Sequence, residues 1–146
     1  MTKQRGFTLI ELMIVVSIIA IICAIAVNNL LRSRVQANEA SAIEDLSVIT
    51  SAQISYNAAH EVFAEFDALT DDSNGPAFLD DGWVEGRDKS GYVFSIQNAG
   101  TANFACTAEP LEPGSSGVRR FYVDASGVIR YNFNGAAGPD DPAVGQ

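Results

Sequence analysis

The chain has 146 residues, 47% of them hydrophobic and 18% charged, with a formal net charge of −9. That length holds one ordinary globular domain plus one membrane segment and excludes two full domains. Residues 35–146 carry 17 acids against 5 bases, a net of −12. This part of the chain repels phosphate backbones, so nucleic-acid binding by the monomer is not expected.

The first six residues, Met1-Thr2-Lys3-Gln4-Arg5-Gly6, are basic and free of acids. Lys3 and Arg5 favour a cytoplasmic location for this end. Phe7 to Leu31 then reads FTLIELMIVVSIIAIICAIAVNNLL, an apolar run whose single charge is Glu11. As a helix rising roughly 1.5 Å per residue it reaches about 37 Å, enough to cross a bilayer core of ~30 Å. A carboxylate inside such a segment is costly and is seldom kept without a partner. The helix dipole favours an acid near this end, but too weakly to offset membrane burial. No second ionisable group shares the segment, which excludes catalysis by Glu11. Arg32 and Arg34 close the run and suit snorkelling to an interface.

Beyond the run, Val35, Ala42, Ile43, Leu46, Ile49, Tyr56 and Phe63 recur at three-to-four-residue spacing, with Asn38, Glu39, Glu44, Asp45 and Ser55 between them. This is an amphipathic helix. No Pro or Gly falls between Phe7 and His60, so one helix of about 50 residues is expected, greasy on all sides in its first half. Asn28-Asn29 allows some bend, since asparagine is a poor helix former. Residues 61–90 are acidic and punctuated by Gly and Pro, which is loop chemistry with room for one short helix. Four strands are expected at Tyr92–Ile96, Asn103–Glu109, Arg119–Val123 and Val128–Phe133. Asp124-Ala125-Ser126-Gly127 forms a tight turn between the last two. The tail, 134–146, reads as surface coil. The fold class is therefore α+β: a long N-terminal helix with its hydrophobic half protruding, packed distally on a small antiparallel sheet of about four strands.

Other candidate sites are weak. Cys23 and Cys106 stand too far apart in the plan to bridge, and both read as small apolar residues. Asp71, Asp72, Asn74, Asp80 and Asp81 offer oxygen ligands suited to calcium, but their spacing matches no EF-hand loop. His60 has no partner for ligation or nucleophilic catalysis. Gly86-Arg87-Asp88-Lys89-Ser90-Gly91 lacks the order of a phosphate loop. No convergent acid/base or metal set supports an enzyme, and no cofactor is implied.

Cleavage after Gly6 would leave Phe7 with a new α-amine, largely protonated at neutral pH. Glu11 would then be the fifth residue, about 6 Å along the helix. A neighbouring helix shifted axially by that amount brings its amine to this carboxylate, and two costly charges become a neutral pair. Gly6-Phe7-Thr8-Leu9-Ile10-Glu11-Leu12, behind a short basic leader, resembles the prepilin signature of type IV pilins and type II secretion pseudopilins. The resemblance is close over residues 1–35 and covers the rest in general plan.

It implies cleavage between Gly6 and Phe7 and N-methylation of Phe7 by a prepilin peptidase/methylase. It also implies that Glu11 and the Phe7 amine of adjacent subunits pair in a helical homopolymer. Residues 1–6 would be the leader, 7–34 the transmembrane and filament-core half of the helix, and 35–146 the head, divided into helix 35–60, acidic loop 61–90, sheet 91–133 and coil 134–146. An inner-membrane assembly platform and ATPase-driven machinery are the implied partners. The subunit would cross the inner membrane once before assembly and lie in an extracellular or periplasmic filament afterwards. Family members often carry a proline near Asn28 and a disulfide in the C-terminal loop; this chain has neither. A pilus subunit is the leading reading, a secretion pseudopilin the alternative. A different class is a soluble secreted protein released by cutting the A-x-A site Ala24-Ile25-Ala26 ahead of Val27.

Overall fold

The computed structural model describes residues 6–73, 75–97, 99–100 and 102–145. The leader bases Lys3 and Arg5, Asn74 of the acidic loop and Gln146 of the tail lie outside the described residues.

Helix α1 runs from Leu9–His60, 52 residues, and passes Asn28-Asn29 without a break. It stops where Glu61 turns into the left-handed region at φ 62°, with the Glu61 amide closing the last turn on Asn57 O at 2.8 Å. Contacts divide the chain into two units, one ending at Arg34 and the other starting at Val35. In the first, the large side chains from Phe7 to Leu31 are all exposed. Their 18-residue window has a mean hydropathy of 3.0, long and apolar enough by composition to cross a membrane.

The second unit holds the whole hydrophobic core, which begins at Ala42. Ala42, Leu46, Ile49 and Ala52 repeat at helical spacing and are buried. Ile43 and Tyr56 pack against this cluster from its margin. A short helix α2, Phe66–Thr70, inserts Phe66 and Leu69 into it.

Among the described residues five strands form an antiparallel meander in chain order: β1 Asp88–Lys89, β2 Tyr92–Gln97, β3 Ala105–Pro110, β4 Arg120–Asp124 and β5 Arg130–Asn132. Four of them fall within or near the runs expected from alternation. Tyr92, Phe94 and Ile96 of β2, Cys106 and Ala108 of β3, and Phe121 and Val123 of β4 turn inward. The fifth, β1, was unreadable because two residues carry no period. Its pairing with β2 is set by the turn, where Ser90 and Gly91 both have positive φ and the Gly91 amide donates to Asp88 Oδ1 at 3.0 Å.

The tail departs from a plain coil. Tyr131 N donates to Pro142 O and Val144 N to Ile129 O, so residues 142–144 lie along the outer edge of β5 and cover it. Asp141 fastens this strap: its carboxylate accepts from Asn132 Nδ2 at 3.0 Å and Gly138 N at 2.8 Å. Both cysteines are free, Cys23 exposed and Cys106 buried in β3.

Candidate functional site: the start of the apolar helix

Gly6 and Phe7 precede α1 in exposed backbone, and Phe7 is 84% exposed. A Cβ built at Gly6 meets nothing within 4 Å. Glu11 sits in the first turn of α1, where the first amides of a helix lack intrahelical acceptors. Thr8 and Glu11 solve this together. The Glu11 amide donates to Thr8 Oγ1 at 3.3 Å, and Glu11 Oε2 accepts from the Thr8 amide at 3.0 Å and from the Thr8 hydroxyl at 2.8 Å. This is a reciprocal capping box. Thr8 was passed over in the sequence, although the signal was present: a threonine three residues before an acid, ahead of an apolar run. The box holds the carboxylate by one oxygen. Among the described residues nothing donates to Oε1, which remains available to a partner.

The described residues of the head contain no comparable exposed constellation. Among its described residues no group of three or more His, Cys, Asp or Glu side chains is placed to hold a metal ion. His60 stacks on Tyr56 with ring centroids 4.1 Å apart. The segment 86–91 forms β1 and its turn.

Two acids expected on the solvated face of the helix are instead buried. Glu39 reaches the segment between β3 and β4: Oε1 accepts from Val118 N at 2.9 Å and Arg119 N at 3.0 Å, and Oε2 from Arg119 Nε at 2.8 Å. Burial alone would push this carboxyl up. The two amides and the Arg119 guanidinium outweigh it and hold the group below its usual value. Asp45 pairs with Lys89 of β1 at 3.0 Å, and the same ammonium lies 3.8 Å from the centre of the Trp83 ring. Asn38 Nδ2 adds a bond to Ser116 O at 2.8 Å. These polar side chains belong to one short helical stretch, Asn38 to Asp45, and tie it to β1 and to the segment between β3 and β4. Helical periodicity missed them because their partners lie 44 to 80 residues away.

A long N-terminal helix, apolar and unpartnered over its first half, with an α+β head built on an antiparallel sheet, defines the pilin type of fold. The prokaryotic N-terminal methylation motif matches residues 1–27. The chain is 40% identical over 64 residues to the type IV major pilin protein PilA of Myxococcus xanthus, covering 44% of this chain and 29% of that protein. It is 36% identical over 67 residues to type II secretion system core protein G of Vibrio cholerae, covering 46% of each. It is 54% identical over 39 residues to the type IV wide pilus major component PilA4 of Thermus thermophilus, covering 27% of this chain and 30% of that protein. The chain thus spans less than half the length of these relatives. Over its N-terminal part the chain is thus similar to both type IV pilins and type II secretion pseudopilins, and its α+β fold is consistent with theirs.

Proposed function

We propose that the chain is a structural, non-enzymatic subunit of a type IV pilus-like filament. A prepilin peptidase cuts between Gly6 and Phe7 and the new Phe7 amine is methylated. The apolar half of α1, within 7–34, anchors the subunit in the inner membrane and then moves into the filament core, while 35–146 forms the head. Burial of the exposed apolar side chains supplies most of the assembly energy, at about 25 cal/mol per Å². Glu11 Oε1 accepts the Phe7 amine of an adjacent copy and sets axial register. Such a contact is heterologous, so it propagates into an open fibre. The assembly platform and its ATPase act on the subunit as the family implies. Type II secretion pseudopilin remains the alternative within the family.

The observation that carries this reading is a capped carboxylate with one free oxygen in the otherwise uncharged, exposed apolar first part of α1, up to Leu31. Two measurements test it. Mass spectrometry of the mature chain is expected to find N-methylated Phe7 at the terminus; a terminus at Val27 would support the secreted alternative. Glu11→Gln keeps the side-chain oxygen that the capping box uses but removes the charge. Fibre yield is expected to fall at least tenfold in both Glu11→Ala and Glu11→Gln. Normal fibres from Glu11→Gln would reduce Glu11 to a helix cap.

A further inference from the structure

Twice among the described residues an acid and an aromatic ring hold a cation of the same chain between them. Lys89 lies between Asp45, at 3.0 Å, and the Trp83 ring, at 3.8 Å. Arg119 lies between Glu39, at 2.8 Å, and the rings of Phe121 and Tyr131, 5.2 and 5.4 Å away. Ring faces carry negative charge, and a carboxylate beside them adds to the attraction.

A third set holds no such cation among the described residues. At the end of α1, Tyr56, His60 and Phe78 form an aromatic cluster. Tyr56 and His60 are stacked, and Phe78 stands edge-on to Tyr56 at 5.3 Å and to His60 at 6.2 Å. They line a groove of about 450 Å³ whose charged member is Asp71. The Asp71 carboxylate is exposed and bonded to the Ser73 amide at 2.9 Å. Residues 61–78 carry Glu61, Glu65, Asp67, Asp71 and Asp72 and no Lys or Arg.

The same chain also has bases without an acid. Every described Lys and Arg after residue 35 makes a hydrogen bond or an ion pair: Arg87, Lys89, Arg119, Arg120 and Arg130. Among the described residues Arg32 and Arg34 find neither, and both are exposed.

We infer that the Tyr56–His60–Phe78 groove with Asp71 receives a guanidinium of Arg32 or Arg34 from a second copy of this chain. The inference rests on the filament reading for its setting, but the complementarity is a property of the two surfaces. Guanidinium is the cation best suited to the site, because its flat face stacks on rings while its edge donates to a carboxylate. Groove and arginines are different patches, so the contact is heterologous and repeats from copy to copy.

Cysteine cross-linking in the full-length chain tests this. In a Cys23→Ser background, Ala68→Cys on the groove wall is combined with Arg32→Cys or with Arg34→Cys. Ser126→Cys on the β4–β5 turn, combined with Arg34→Cys, serves as control. Oxidised fibres are expected to give a ladder of linked copies for at least one groove pair, at no less than fivefold the control yield. Adding Phe78→Leu is expected to lower that yield at least threefold. Fibres that form normally without linkage above control would overturn the pairing and leave the filament reading standing. Linked oligomers in membranes without any fibres would support the pairing and overturn the filament reading. Neither fibres nor linkage would overturn both.

Discussion

Glu11 and Glu39 lie on one helix and do opposite things. Glu11 is held by its near neighbour Thr8 and keeps an oxygen free. Glu39 spends both oxygens inside its own head, on Val118 and Arg119. Removing Glu39 leaves two amides and a guanidinium without their acceptor. Arg119 is 27% exposed, so water recovers part of the loss, and Glu39→Ala is expected to cost about 2 kcal/mol. Denaturant unfolding of the full chain in detergent, followed by fluorescence of its only tryptophan, Trp83, measures this. The pH dependence has a definite sign. The folded carboxyl sits below its usual 4.5, so its contribution is complete above that value and is lost as pH falls through the lower folded one. Asp124, lowered by its bonds to Ser126 and Tyr122 against the opposing effect of burial, acts in the same direction. Glu39→Gln is therefore expected to flatten the acid limb of the stability curve without removing it.

At the scale of elements, the segment between β3 and β4 is fastened from several sides. Asn38, Glu39 and the Tyr92 hydroxyl, which donates to Arg119 O at 2.9 Å, all fasten it. Gly117 is part of that fit, since a Cβ there would run into the Tyr92 ring. Tyr92 is fully buried and cannot swing away. Gly117→Ala is expected to destabilise the head by about 1–3 kcal/mol as an overpacked core site, read as a lower denaturation midpoint with unchanged m-value. At the other end of the sheet, the strap at 142–144 and its Asp141 fastening cover the β5 edge. A disulfide is not needed to hold this loop, because a carboxylate with two donors and two backbone bonds already does so.

For the whole molecule, the division at Arg34/Val35 separates two kinds of surface. One unit exposes a continuous set of large apolar side chains; the other encloses its own core from Ala42 onward. The fragment 35–146 is therefore expected to fold alone, and to unfold within about 0.5 kcal/mol of the full chain, since it gives up no core contact. With a net charge of −12 it should sediment as a monomer without detergent. The full chain should require detergent or assemble. Sedimentation velocity on both species, with unfolding measured in parallel, checks this; an aggregating or unfolded fragment would show that the head depends on the apolar segment.

The apolar helix, its lone acid and four of the strands were legible because each is a local pattern: an uninterrupted greasy run, a helical period, a strand alternation. The capping box was legible too, at a separation of three residues. The buried roles of Glu39 and Asp45, the two-residue β1 and the strap over β5 were not. Each depends on partners brought in from distant parts of the chain, and no periodicity records them. Local chemistry in the sequence settled which segments form helix and strand and where the unusual charge lies. Tertiary packing alone decided which polar side chains enter the head, because burial becomes tolerable only once a remote donor has arrived.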